Sequence, residues 1–132
     1  MIALDTNVLV RLLTNDDARQ AAKAEKWLLD NATPRSPAYV DHIVLCELGW
    51  VLERSYGYER DLVHAAIDAL LQHSSIRVEA PDLVRQALDW HEAGSADFSD
   101  YLLAARAQAA GFAPVLTFDR KAARTPTHRL LR

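Results

Sequence analysis

Cysteine is nearly absent from this chain of 132 residues, since Cys46 is the single example. One thiol cannot form an internal disulfide, and there is no cysteine cluster of the kind that holds structural zinc. Glycine and proline are also few, at four and five residues, while half of the chain is hydrophobic, which argues against disorder. We therefore expect a single globular domain spanning residues 1–132.

Long hydrophobic runs are missing as well. No apolar stretch approaches the roughly 20 residues that a membrane-spanning helix needs. No positively charged, apolar leader precedes the first predicted strand, so we expect a cytoplasmic protein rather than an exported one.

Charge is unevenly distributed along the chain. The formal net charge is −3, yet the segment from Asp119 onward has five Lys or Arg residues against one acid, which makes it +4 and the preceding part −7. A basic end can hold phosphates or an acidic partner, or it can be an ordinary solvated terminus.

Hydrophobic periodicity predicts strands and helices that alternate along the chain. Strands are expected at residues 2–4, 37–40, 76–78 and 115–118. Helices are expected at about 8–13, 17–29, 42–57, 62–71, 81–94 and 98–110. Asp41 is a predicted N-cap, Pro81 suits a first helical turn, and Gly111 a helix end. This alternation favours parallel pairing, hence a three-layer α/β/α sandwich with a central parallel sheet of about four or five strands.

Acidic residues occur where apolar neighbours predict partial burial. Asp5 and Asp119 follow the first and last predicted strands, and ligands bind beyond the carboxyl ends of parallel strands. Glu47 lies within a helix between apolar residues, and Asp97 and Asp100 open another helix. Helix capping is an alternative role for the four aspartates, and a solvated side chain is the alternative for Glu47.

Several converging acids favour a bound cation. Two carboxylates about 4 Å apart repel by roughly 4 kcal/mol at an effective dielectric near 20, and a divalent metal removes this repulsion. Hard oxygen ligands suit Mg²⁺ or Mn²⁺ rather than zinc, and these ions support phosphoryl chemistry by activating water. The histidines show no metal-site spacing and are expected at the surface: His42, His64, His73, His91 and His128.

Basic residues near the predicted acidic site could contact a substrate phosphate. The candidates are Arg11, Arg120 and Lys121, each of which has the alternative of being an ordinary solvated cation.

Four short segments, LDTNVLVR, VLCELGWVL, DFSDYLLAA and LTFDRKA, resemble in this order the acidic motifs of the PIN domain family. The closest resemblance is to VapC-type toxins of bacterial toxin-antitoxin pairs, and it covers essentially the whole chain. It implies that the catalytic, metal-binding acids are Asp5, Glu47, Asp100 and Asp119, with Asp97 as a secondary ligand. The polar residues that the family places beside these acids are matched by Thr6, Asn7 and Thr117.

The resemblance implies an endoribonuclease that depends on Mg²⁺ or Mn²⁺, with RNA as its substrate. It also implies a homodimer and a small antitoxin protein that wraps the toxin. The aromatic residues that are candidates for the antitoxin groove, with the hydrophobic core as their alternative, are Trp27, Trp50, Tyr56 and Tyr58. The motifs do not distinguish one bound metal ion from two, and they do not name the RNA target.

Two other functions stay open. A haloacid-dehalogenase-like phosphatase also begins with a strand that ends in Asp, but its second Asp would fall at Asn7. A catalytically silent PIN-like module that binds RNA or protein would usually have lost one of the four acids, and all four are present.

Overall fold

The computed structural model describes all residues from 1 to 132, and these form two compact units, residues 1–79 and 80–132. The first unit contains α1 (Thr6–Leu13), α2 (Ala18–Asn31), β1 (Ala38–Val40), α3 (His42–Arg54), α4 (Arg60–Gln72) and β2 (Ile76–Val78). The second contains α5 (Pro81–Ala93), α6 (Phe98–Ala109), β3 (Val115–Thr117), a 3-10 helix (Ala122–Arg124) and β4 (His128–Leu130). None of the α-helices combines the length and the apolar character needed to cross a lipid bilayer.

The first unit has a small parallel sheet. β1 pairs with β2, with Ala38 opposite Ile76, and the first predicted strand joins β1 through a bridge between Ala3 and Tyr39. The backbone N–H of Leu4 donates to the carbonyl of Tyr39, and Tyr39 donates to Ile2, both at 2.8 Å. The bridge does not extend further along the chain because the next residue, Asp5, already begins α1 as its N-cap.

The core of the first unit forms around α3. Leu45, Leu48 and Leu52 are fully buried at spacings of three and four, which place them on one side of a helix. They share the core with Val40 of β1 and Ile67 of α4, which are also fully buried. Burying one such side chain stabilises the fold by about 1.5–3 kcal/mol.

The second unit packs α5 against α6 and adds a second parallel sheet, in which β3 pairs with β4. Tyr101 of α6 is fully buried, and its hydroxyl accepts a hydrogen bond of 3.2 Å from the backbone N–H of Ala96. Gly94, which ends α5, leaves room for this ring, because a Cβ atom there would lie 1.9 Å from the Tyr101 hydroxyl.

Most of the predicted elements are confirmed, and the predicted caps explain why. The carboxylate of Asp41 accepts from the backbone N–H of Val44 at 2.9 Å, as expected of an N-cap, and Pro81 opens α5. Gly111 has a positive φ of 91° immediately after α6, a conformation that suits glycine. α3 ends at Arg54, earlier than predicted, and Gly57 lies beyond it with φ of 66°.

The α/β class and the parallel pairing are confirmed, but the single central sheet of four or five strands is not observed. The hydrogen bonds form two separate two-stranded sheets. Every strand has only three residues, so each pairing contributes few hydrogen bonds. β4 was not predicted, because its sequence, HRL, has no run of apolar residues.

Candidate functional site

The first unit holds Asp5, Thr6, Asn7 and Glu47. The carboxylate of Asp5 accepts from the backbone N–H of Thr6 at 2.7 Å. The buried hydroxyl of Thr6 donates to Oε2 of Glu47 at 3.2 Å, although the two residues are 41 positions apart. The start of α1 therefore holds the acid in the middle of α3, while Asn7 is exposed.

The expectation that apolar neighbours bury these acids is wrong for three of them, because Asp5, Glu47 and Asp119 are all exposed. For Glu47 the reason is the orientation of α3. Ile43, one turn before Glu47, is 69% exposed, so this side of the helix faces solvent rather than core. These three carboxylates therefore do not need a partner to offset the free-energy cost of a buried charge.

The second unit holds Asp97, Asp100 and Asp119, and Asp100 is half-buried. Burial raises the pKa of Asp100 above its ordinary value, and the negative charges of Asp97 and Asp119 raise this pKa further. His128 and a hydrogen bond to the backbone of Asp97 act in the opposite direction. The charges of Asp97, Asp119 and His128 therefore all act on Asp100, and we call these four residues the acidic cluster.

The side chain of Asp97 is not used to cap its helix, whereas the side chain of Asp119 is oriented by a backbone hydrogen bond. Asp97 stands at the N-cap position of α6, but its side chain makes no capping hydrogen bond. Oδ1 of Asp119 accepts from the backbone N–H of Lys121 at 2.8 Å, and the N–H of Asp119 donates to Thr117 Oγ1 at 2.9 Å. Thr117 therefore contacts the acid that it was predicted to accompany.

His128 is the member of the acidic cluster that the sequence did not predict. We expected all five histidines at the surface, but His42, His91 and His128 are buried, with 4%, 1% and 6% of their surface exposed. Burial lowers the pKa of His128, while Asp100 and Asp119 favour its charged form. The expectation failed because His128 begins β4, the strand that went unpredicted.

The basic candidates differ in their surroundings. Arg120 and Lys121 are exposed beside Asp119 in the chain. The guanidinium of Arg11 donates to Gln20 Oε1 at 2.6 Å, to both oxygens of Asp16 and to the Tyr56 hydroxyl. A phosphate bound by Arg11 would have to compete with these internal partners.

The acidic residues fit Mg²⁺ or Mn²⁺ by their chemistry, because carboxylate oxygens are the ligands that these ions prefer. Their positions do not amount to a complete coordination shell, since no three His, Cys, Asp or Glu side chains are grouped closely enough to hold a metal ion. Mg²⁺ commonly keeps several of its waters and takes only one or two carboxylates from the protein. An ion bound by one or two of these carboxylates would therefore have to keep several of its waters.

Comparison with known proteins identifies relatives of this chain. The crystal structure of Mycobacterium tuberculosis VapC20, described as a sarcin-ricin loop cleaving toxin, covers 94% of each chain at 23% identity with a TM-score of 0.46. The VapC ribonuclease of Aquifex aeolicus (strain VF5) is 25% identical over 121 residues, which are 92% of this chain and 89% of that protein. The model of the PIN domain family matches residues 2–127. The chain therefore belongs to the PIN domain family and is a distant relative of the VapC ribonuclease toxins.

Proposed function

We propose that this protein is a metal-dependent endoribonuclease of the VapC type, which hydrolyses phosphodiester bonds in RNA. The observation that carries the proposal is the acidic cluster, in which burial and the charges of Asp97 and Asp119 raise the pKa of Asp100. Negative charges that raise the pKa of a neighbouring carboxyl group favour a bound cation, and the cluster belongs to a PIN domain chain. Its relative from Aquifex aeolicus is named a VapC ribonuclease.

The metal-binding acids in this proposal are the four that match the PIN motifs, with Asp97 as a secondary ligand: Asp5, Glu47, Asp100 and Asp119. When bound, Mg²⁺ or Mn²⁺ would polarise a phosphate oxygen of the RNA and lower the pKa of a bound water.

Hydrogen bonds within the chain orient two of these carboxylates. The N–H of Lys121 holds one oxygen of Asp119, and the Thr6 hydroxyl holds one oxygen of Glu47, so each acid keeps its other oxygen for a ligand. The exposed cations Arg120 and Lys121 would attract the RNA backbone, while Asn7 and Thr117 stand beside the acids as orienting polar groups.

The proposed partners beyond RNA are a cognate antitoxin and a second copy of the chain. Trp50 is 39% exposed and Trp27 lines a cavity of about 620 Å³ in the first unit, so neither belongs to the core. An antitoxin segment could place apolar side chains in this cavity, beside Ile2 and Val8. Trp27→Ala should then weaken inhibition by the antitoxin without changing RNA cleavage. Light scattering of the purified protein would measure whether it forms the proposed dimer.

The test is cleavage of total cellular RNA by purified protein in the presence of Mg²⁺ or Mn²⁺. We expect discrete fragments that disappear when the ion is chelated and when Asp100 is replaced by Asn. Sequencing the fragment ends would identify the target RNA. The loss in Asp100→Asn should be at least 100-fold, because removing a charged ligand weakens both ion binding and water activation.

Asp89→Asn is the matched control, since Asp89 is an exposed acid of α5 and the substitution changes the net charge equally. This variant should cleave like the wild type. Fragments that persist in Asp100→Asn, or in excess chelator, would contradict the proposal. Intact metal binding with no cleavage of any RNA would instead favour the catalytically silent binding module.

A further inference from the structure

One face of the small sheet in the second unit is apolar and open to solvent. Leu116 of β3 lies opposite Arg129 of β4 and both are exposed, whereas the neighbouring pair, Val115 and His128, is partly or fully buried. Because side chains alternate between the faces of a strand, Phe118 continues the exposed face just beyond β3, and it is 79% exposed. We call Leu116, Phe118 and Arg129 the open face. Adjoining exposed apolar side chains that are bordered by charge are typical of a binding surface.

The ring of Phe118 is carried by a hydrogen-bonded turn. The backbone N–H of Asp119 donates to Thr117 Oγ1 at 2.9 Å, and Oδ1 of Asp119 accepts from the N–H of Lys121 at 2.8 Å. The carbonyl of Thr117 accepts from the N–H of Leu131 at 2.8 Å, which ties the turn to the end of β4. These bonds fix the backbone on both sides of Phe118, so a ligand that packs on its ring has little chain left to order.

The chain around the open face is strongly basic. After Asp119 there is no acidic side chain, and five exposed cations follow: Arg120, Lys121, Arg124, Arg129 and Arg132. None of the five forms an ion pair with a carboxylate, unlike Arg11 and Lys26 of the first unit, which pair with Asp16 and Asp30. Cations that no internal acid neutralises attract a polyanion.

An unpaired nucleotide combines the two features that the open face can bind, a flat base and an anionic phosphate. Bases of single-stranded RNA stack on exposed aromatic rings, while Lys and Arg contact the backbone. Bases within a duplex stack on one another and leave no face free for Phe118. A protein partner could also cover the apolar side chains, but it would need an array of acids to match the five cations, whereas each nucleotide brings its own charge.

We propose that the open face binds unpaired nucleotides of the RNA substrate, with Phe118 stacking on a base and Arg129 contacting the phosphate backbone. The inference rests on the proposed function for the identity of the substrate as RNA. It goes beyond that function because it names unpaired nucleotides as the substrate class, and because it assigns binding to residues that are neither acids nor their polar neighbours. Phe118 directly precedes Asp119, so the stacked nucleotide would lie beside one of the proposed metal-binding acids.

The first experiment measures binding of a short labelled RNA strand by fluorescence anisotropy, with a chelator present so that the RNA stays intact. We expect the wild type to bind the single strand more tightly than a duplex of the same sequence. Phe118→Ala should weaken single-strand binding on the order of 10-fold, and Phe118→Trp should retain it, because an indole also stacks on a base. Phe118→Leu should bind as weakly as Phe118→Ala, because leucine is apolar but not flat.

Phe112→Ala is the matched control for Phe118→Ala. Phe112 is 75% exposed but precedes β3, so it is attached at the end of the strand away from Asp119, and its replacement should leave RNA binding unchanged. Wild-type affinity in Phe118→Ala or in Phe118→Leu would overturn the proposal. So would a Phe118→Ala variant that binds RNA normally but changes from dimer to monomer in light scattering, because the open face would then join two copies of the chain.

The second experiment measures how salt weakens binding of the same single strand. Each phosphate contact on a single strand contributes about 0.7 to the slope of log affinity against log salt, so Arg129→Gln should reduce that slope by about 0.7. Lys26→Gln is the control, since Lys26 is exposed but pairs with Asp30, and its slope should equal that of the wild type. An unchanged slope in Arg129→Gln would overturn the contact between Arg129 and the backbone.

The outcomes separate this inference from the proposed function. Wild-type protein that cleaves RNA with Mg²⁺ but binds single strand and duplex equally would overturn the role of the open face and leave the nuclease intact. Protein that binds the single strand through Phe118 but cleaves no RNA would overturn the nuclease and leave the open face as an RNA-binding surface. Protein that neither binds nor cleaves RNA would overturn both.

Discussion

At the scale of single residues, Arg11 and Asp16 show how a charged side chain acquires a structural role that its sequence position does not reveal. Hydrogen bonds from the hydroxyls of Tyr56 and Thr14 lower the pKa of Asp16, and the guanidinium of Arg11 lowers it further. The Tyr56 hydroxyl donates to Asp16 Oδ2 at 2.5 Å across 40 positions of sequence. This network ties the end of α1 to the segment that follows α3.

The Asp16 network predicts a pH-dependent contribution to stability. Because the folded-state pKa of Asp16 lies below its unfolded value, near 3.9, the stabilisation is present above that value and is lost as the pH falls through the folded-state pKa. Asp16→Asn should therefore lower the free energy of unfolding at pH 7, and the difference from the wild type should shrink on acidification. Urea denaturation at several pH values measures this.

Asp89→Asn again serves as the control for Asp16→Asn, since Asp89 is exposed on α5 and should show no comparable difference at any pH. A destabilisation by Asp16→Asn that is equally large in acid would mean that the carboxylate charge is not what holds the network together.

At the scale of helices, two glycines differ in whether the structure has room for a side chain in their place. Gly49 lies in the interior of α3, and a Cβ atom added there would meet nothing within 4 Å. Gly94 ends α5, and a Cβ atom added there would lie 1.9 Å from the hydroxyl of Tyr101 and 3.0 Å from the carbonyl of Trp90. Only Gly94 is required by its neighbours.

We expect Gly49→Ala to stabilise the protein by about 1 kcal/mol, because alanine has a higher helix propensity and fits without displacing its neighbours. Gly94→Ala should destabilise it by roughly 1–3 kcal/mol, because the fully buried ring of Tyr101 has little space to move. Chemical denaturation of both variants measures the two free energies. Equal effects of the same sign would show that the space around these glycines does not govern their substitution.

At the scale of the whole molecule, the relation between the two units is a question of cooperativity. The family model spans residues 2–127 and therefore includes nearly all of both units. Residues 80–132 alone are of a size at which an independently folding domain is marginal. The expectation of one domain over residues 1–132 thus remains a prediction that unfolding can test.

We predict a single calorimetric unfolding transition for the metal-free chain, with the van't Hoff enthalpy equal to the calorimetric enthalpy. Two resolved transitions would contradict one domain and identify residues 1–79 and 80–132 as separately folding. A fragment of residues 1–79 provides the comparison, since its unfolding curve would match one of the two transitions in that case.

The sequence by itself determined most of the elements and the family. Helix boundaries followed from local chemistry, as with the N-cap Asp41 and the first-turn Pro81, because caps and backbone restraints act within a few residues. The four acidic motifs were likewise readable in order, and the PIN family match agrees with them.

Only the tertiary structure decided which side of each element is covered and which polar groups meet. In the folded chain, Glu47 is exposed and accepts a hydrogen bond from Thr6, and Arg11 forms an ion pair with Asp16. His128 is buried with one ring nitrogen unsatisfied. These contacts join residues distant in the chain, or depend on a three-residue strand too short to show a periodicity. Local sequence propensity does not predict these contacts, because packing and hydrogen bonding bring the residues together only once the chain has folded.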